Sequence, residues 1–224
     1  LGHLRRSNTK RGAKRNIAAH YDLGNDFYEQ WLDPTMTYSS AYYTAENQPL
    51  DQAQTEKYRR IADMLQLKPE HSVLEVGFGW GGFAEFAVKE YGCKITGLTL
   101  SEEQLKFASE RIQKAGLSEK VDLRLQDYRD VEGQFDRIAS IEMFEAVGEA
   151  NWPRYFDMIH NRLTPSGQAA LQIITIDDAF YERYRSGSDF IQRYIFPGGM
   201  LPSVSALTNE IDRARLNLAE VTTF

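Results

Sequence analysis

The chain has 224 residues, enough for one domain with a substantial core, and the composition of an ordinary globular protein. Its one cysteine, Cys93, excludes an internal disulfide, its four histidines have no second cysteine to give metal-site spacing, and no apolar run approaches the length of a membrane span. The net charge of -6 is uneven, because residues 1–16 hold Arg5, Arg6, Lys10, Arg11, Lys14 and Arg15 and no acid.

Residues 1–15 therefore read as a basic arm on an acidic body. Such an arm is either a solvated linker or a contact for an anionic partner, and membrane headgroups and nucleic acid both fit. The chain opens at Leu1 without a methionine and is expected to be part of a longer protein. Residues 16–224 are expected to form one domain, incomplete at its C-terminal end.

From Asn16 to Leu32 the pattern is helical and rich in aromatics, and Asp33-Pro34 breaks it. Thr37 to Tyr43 is a polar-aromatic loop, TYSSAYY. Leu50 to Leu67 has helical spacing, with Ala53, Tyr58, Ile61, Ala62 and Leu65 facing inward. Strands and helices then alternate. Ser72–Val76 is a buried strand and Gly82–Tyr91 a helix. Lys94–Leu100 is a second strand, and Ser101–Ala115 a second helix stopped by Gly116. Val121–Gln126 and Phe135–Ile141 are the third and fourth strands. Trp152–Leu163 is a helix with Pro153 in its first turn, and Gly167–Ile176 is a fifth strand. This alternation predicts an α/β fold of Rossmann-like type, a mostly parallel sheet with helices on both faces. Asp177 to Pro202 breaks the rhythm and reads as a lid-like insertion over the strand ends. Ser203–Asn217 is a further helix.

The strongest local signal is VLEVGFGWGGF, residues 73–83. A strand ends in Glu75 and Val76, a turn carries Gly77, Gly79 and Gly81, and a helix begins. Glycines there let the backbone turn tightly and approach a ligand. No lysine followed by serine or threonine comes after them, so this is not a phosphate-binding loop. An acid on the strand just before the glycines resembles the first motif of class I methyltransferases, which implies a strand end beside the methionine part of S-adenosylmethionine. At the end of the second strand stand Thr99, Leu100 and Gln104. Ser101-x-x-Gln104 is also a helix-capping box, which needs no ligand. Asp127, beside Tyr128 after the third strand, is a candidate partner for an adenine amine, or a solvated loop acid.

Six ordered motifs carry a resemblance: YDLGNDFY (21–28), LDPTMTYSSAYY (32–43), VLEVGFGWGG (73–82), GLTLSEEQ (97–104), IEMFEAVGE (141–149) and FPGGMLPS (196–203). Together they resemble the cyclopropane fatty acid synthase family, which includes the mycolic acid cyclopropane synthases, over nearly the whole chain. The resemblance implies a class I methyltransferase fold and S-adenosylmethionine as cofactor. It also implies methyl transfer to the cis double bond of a lipid-bound acyl chain. Tyr38 and Ser39 would join the Val76–Gly82 turn, Thr99–Gln104 and Asp127–Tyr128 in holding the cofactor. Phe144, Tyr184 and Tyr194 would face the substrate.

In that family a bicarbonate ion removes the final proton. It is held by a Cys in a TYSC motif, a Glu in an FEH motif and a His on the fifth strand. Here Glu145 is kept, Ser40 replaces the Cys, Ala146 follows Glu145 in place of the motif's His, and Gln172 replaces the strand His. The expected catalytic set is Glu145, Ser40, Gln172 and Tyr38, with Glu142 the alternative carboxylate. Whether bicarbonate binds stays open, as does the product, a cyclopropane or a methyl- or methylene-branched chain. The expected partners are phospholipid acyl chains and an anionic membrane surface, with a homo-oligomer or partner subunit left open and no nucleic acid. The expected location is cytoplasmic, peripheral at the inner face of the membrane. Two other readings remain: a methyltransferase of a soluble amine, and a cofactor-binding subunit without catalysis, since a fold alone does not choose a substrate.

Overall fold

A computed structural model describes Thr9, Gly12, residues 25–187, Phe190, Gln192 and residues 198–224. The basic arm apart from Thr9 and Gly12, the first part of the expected Asn16–Leu32 helix, and Tyr194 lie outside the described residues. Of that helix one turn is present, Asn25–Tyr28, and residues 29–32 follow it as turns.

The sheet has five strands: β1 (Ser72–Val76), β2 (Lys94–Thr99), β3 (Val121–Leu125), β4 (Phe135–Ile141) and β5 (Leu163–Gln172). Their order is β3-β2-β1-β4-β5, and every pairing is parallel. β1 is central and buried on both faces, with Val73, Leu74 and Val76 apolar and Glu75 the buried exception. Val73 packs with one core and Leu74 and Val76 with the other, following the two-residue alternation of strand side chains.

Against the Val73 face lie α1 (Leu50–Met64), α2 (Gly82–Tyr91) and α3 (Glu102–Lys114), through residues such as Tyr58, Ile61, Phe83, Ala87 and Ile112. Against the opposite face lie α4 (Trp152–Arg162) and α6 (Val204–Arg213), through Tyr155, Phe156, Ile159, Leu207 and Ile211. The expected strands and the helices from Leu50 onward are thus present, and the parallel strand order is that of the class I methyltransferase fold.

The helices expected to run to Leu67 and Asn217 end earlier, at Met64 and Arg213, and both ends of β5 differ from expectation for physical reasons. β5 begins at Leu163, which pairs with Phe135, but the next pair is Arg137 with Gln168, so the intervening residues bulge out of register. β5 also ends at Gln172 rather than Ile176. The next amides find acceptors off the sheet: Ile174 N donates to Glu145 Oε1 and Ile176 N to the Pro202 carbonyl. Within the expected insertion, Asp178–Ser186 forms a helix, α5, capped by the Asp177 carboxylate.

The order reverses at β1, with β2 on one side and β4 on the other, so connections leave in opposite directions and a crevice opens beyond the strand ends. The β1–α2 turn sits there. Gly81, at φ 82°, caps α2, and a Cβ added to it would stand 3.0 Å from Ala108 Cβ on α3. Gly81→Ala is expected to destabilise the protein by about 1–2 kcal/mol through the left-handed backbone alone, and by more through the contact with α3. In urea unfolding, adding Ala108→Gly should recover only the contact part. Full recovery would show that the backbone conformation costs nothing.

Candidate functional site

A cavity of about 820 Å³ fills the crevice at the carboxyl ends of β1, β2 and β4. That size suits a cofactor and part of a second molecule. Its floor is the β1–α2 turn with Glu75, Gly77 and Gly79, and the end of β2 with Thr99, Leu100 and Gln104. The position of Gly79 is open, with no atom within 4 Å of where a Cβ would stand, whereas a Cβ on Gly77 would strike the Met143 side chain at 2.6 Å.

The loop before α1 forms the roof. Tyr38 makes edge contacts at 5.6 Å with both Tyr28 and Trp31, and Trp80 of the glycine turn lies 4.9 Å from Tyr28. This loop is tied down by polar bonds. Asp33 Oδ2 accepts from Thr35 N, Thr37 Oγ1 bonds the Tyr58 hydroxyl at 2.7 Å, and Arg111 donates to the Thr35 carbonyl at 2.6 Å while also pairing with Glu85. Lys57, a buried lysine on α1, donates to Ser39 Oγ at 2.5 Å and to Gln54 Oε1 at 2.6 Å. Burial pulls its pKa down to about 7, against the opposing pull of the Glu142 and Asp33 carboxylates.

Four carboxyl groups line the cavity, Asp33 of the roof loop and three glutamates. Glu75 is 3 % exposed, and its Oε2 has no hydrogen-bond partner among the described residues. Burial pushes its pKa up to about 8, despite the Arg111 guanidinium. Glu145 accepts from Ile174 N at 2.5 Å through Oε1, while Oε2 is buried without a partner. Burial pushes it to about 7, opposed by backbone amides and reinforced by Glu142. The third glutamate, Glu142, accepts at Oε1 from Ser40 N (2.9 Å), Ser40 Oγ (2.6 Å) and Gln172 Nε2 (2.8 Å).

Most of the expected site residues come together here. Tyr38, Ser39, Ser40, Glu75, Val76, Gly77, Gly79, Thr99, Leu100, Gln104, Tyr128, Glu145 and Tyr184 all line the cavity, and Gln172 reaches it through Ser40 and Glu142. Three residues stand elsewhere. Gly81 packs on α3. Asp127 caps the short turn Tyr128–Asp130 and is paired with Arg129 at 2.5 Å, so Gln126 and Tyr128 line the cavity beside it. Phe144, fully buried, packs against Trp152 and Tyr155 in the α4-side core and is a core residue, not a cavity wall.

Sequence reading missed Lys57 and Gln54. Both fall on the inward stripe of α1 with Ala53, Tyr58 and Ile61, and a stripe defined by apolar residues passes over polar ones at the same spacing.

The model of the mycolic acid cyclopropane synthetase family matches residues 8–224. A probable fatty acid methyltransferase of Pseudomonas putida is 41 % identical over 220 residues, covering 97 % of this chain and 56 % of the relative. A cyclopropane-fatty-acyl-phospholipid synthase of Escherichia coli K12 is 45 % identical over 186 residues, covering 83 % of this chain and 46 % of the relative. The chain therefore spans about half the length of these curated relatives. Among solved structures, a mycolic acid cyclopropane synthase complexed with SAH and CTAB superposes with a TM-score of 0.85 at 30 % identity, covering 92 % of this chain and 76 % of that one.

The Glu75 carboxyl keeps its proton in the folded protein up to about pH 8 but loses it near 4.5 when unfolded. Its contribution to stability is therefore complete at low pH and lost as pH rises between those values. Relative to Glu75→Gln, the free protein should lose about 1.4 kcal/mol per pH unit in that window. Urea unfolding of both proteins at pH 5.5 and pH 8 measures this, and a constant difference would show that Glu75 is ionised throughout.

Proposed function

The chain belongs to the mycolic acid cyclopropane synthetase family, and from that premise we propose that it is an S-adenosylmethionine-dependent C-methyltransferase acting on the cis double bond of unsaturated acyl chains in phospholipids. The observation that carries this reading is one continuous cavity. Its lining combines a glycine turn and an unpartnered buried carboxyl with Met36, Met143, Met200, Leu201 and aromatic faces.

The residues fit the cofactor. Glu75 Oε2 has no hydrogen-bond partner among the described residues, and the bare backbone at Gly79 leaves open space in the same cavity. Gly77, Gly79 and Glu75 would hold the sulfonium amino acid, with Tyr38 and Ser39 closing over it. Thr99, Leu100, Gln104 and Tyr128 would hold the nucleoside. Bound there, S-adenosylmethionine supplies an electrophilic methyl group without any metal.

The protein's own work is to compensate for a poor nucleophile. An isolated alkene reacts only if it is held in line and dry. The methionine and leucine side chains line a place for an acyl chain, and the roof of Tyr38, Trp31 and Trp80 excludes water above it. The positive charge left on the chain is stabilised by the aromatic faces of Tyr38, Tyr43 and Tyr184 and by the carboxyl groups of Glu145 and Glu142. The oxygens of these carboxyl groups also offer the place for the departing proton. The basic residues of 1–15 suit anionic headgroups, which supports a peripheral position at the inner, cytoplasmic face of a membrane.

Incubation with labelled S-adenosylmethionine and liposomes bearing cis-unsaturated chains should add one CH₂ to the fatty acids, read by mass spectrometry. A saturated methyl branch should require added reductant. Label found only in a soluble amine would overturn the lipid reading, and cofactor binding with no turnover on any acceptor would overturn the enzyme. Glu145→Gln should bind cofactor normally in calorimetry and turn over roughly 10²-fold more slowly. Near-normal turnover would remove Glu145 from the mechanism.

A further inference from the structure

Glu142 is a charged residue where the backbone favours glycine. Its φ is 47°, in the left-handed region, and its own amide is held there by a bond to the Gln172 carbonyl at 2.9 Å. An L-residue stays in that conformation only at a cost that glycine avoids, and such costs gather at functional sites. The side chain shows what is obtained in return. Oε1 collects three donors, from Ser40 N, Ser40 Oγ and Gln172 Nε2, and Gln172 Nε2 also reaches Ser40 Oγ at 2.9 Å. The other oxygen, Oε2, takes no hydrogen bond from the described residues, and Glu142 lines the cavity between Ile141 and Met143.

Ser40 and Gln172 are the two positions where the sequence departs from the family's ion-holding Cys and His. Here their donors are turned onto a carboxylate that the chain itself supplies. We infer that Glu142 is the built-in general base of the reaction and fills the place of a bound bicarbonate, so that the protein works without that ion. This rests on the proposed methyl transfer. After transfer, a proton of the new methyl group passes to Glu142 Oε2. The C–H electron pair either closes the three-membered ring or, after a hydride shift, forms the methylene double bond, and the carboxylate becomes the acid. Ser40 and Gln172 are positioning residues that hold the base by its other oxygen.

The test has a binding arm and a turnover arm. In the binding arm, protein without cofactor is titrated with ¹³C-labelled bicarbonate and the carbon line width is followed by NMR. The native chain and Glu142→Gln should leave the line unchanged, and Glu142→Gly should broaden it, because only glycine vacates the space. In the turnover arm, the native enzyme should be indifferent to stripping of CO₂. Both variants should fall by roughly 10²–10⁴-fold in stripped buffer, the range for a lost general base. Added bicarbonate should restore Glu142→Gly and not Glu142→Gln. Thermal melts by circular dichroism confirm that both variants fold.

Bicarbonate binding by the native chain, loss of its turnover on stripping, or full turnover by Glu142→Gln would overturn the inference and leave the methyltransferase reading intact. Absence of native turnover on every acceptor would instead overturn that reading. The binding arm would then still decide whether Glu142 fills the ion's place.

Discussion

A carboxyl group buried on the central strand of a parallel sheet is the constraint on which the site depends. Glu75 occupies a strand position that its neighbours Val73, Leu74 and Val76 fill with hydrocarbon, and it sits where strand order reverses. Desolvation there holds the proton on the group near neutral pH. A polar group kept at such a cost beside an open glycine turn is a poor choice for stability and a good one for receiving a cation. Binding of a positive ligand would favour the ionised form and draw that proton off, coupling cofactor affinity to pH through the same burial that destabilises the free protein.

The second requirement is a roof, and it comes from the polar groups that α1 carries on its inward face. Lys57 and Gln54 fasten Ser39, Tyr58 fastens Thr37, and Arg111 from α3 fastens Thr35. Loops of this kind, aromatic and without regular backbone pairing, are held by side chains or not at all. The four rings of Tyr28, Trp31, Tyr38 and Trp80 then meet over the glycine turn. The sheet fixes where the floor lies, while a few hydrogen bonds fix how closely the roof covers it.

Much of this is legible in the residues. The limits of β1, β4 and α2 can be read to the residue, and glycine marks the ends of β1 and α2 at Gly77 and Gly92. The end of β5 cannot, since Ile173 to Ile176 look like strand and leave the sheet only because Glu145 and Pro202 offer other acceptors for Ile174 and Ile176. Site residues that act through their backbone, such as Gly77 and Gly79, announce themselves by type. Phe144 does not reveal its role, because a ring for a core and a ring for a substrate look alike in one dimension. Asp127 is similar: its pairing with Arg129 two residues on is local, yet nothing in the order of residues says that the acid turns to that arginine and not to the cavity.

Ser40, Gln172 and the left-handed Glu142, taken one at a time, look unfavourable. A serine is a weaker acid than a cysteine, a glutamine cannot carry the proton a histidine can, and a glutamate in a left-handed turn is strained. In space they are one arrangement. The glutamate brings a charge that needs donors, and the serine hydroxyl, the serine amide and the glutamine amide are donors aimed at one oxygen of it. Each change is unfavourable without the others, because a carboxylate lacking donors would be poorly held and an uncharged Ser–Gln pair would leave the site without a base. Residues 40, 142 and 172 are far apart in sequence; the parallel pairing of β4 with β5 brings 142 beside 172, and the roof loop brings Ser40 to both. The backbone strain at Glu142 is intelligible on the same terms, since the left-handed turn places this side chain among those donors.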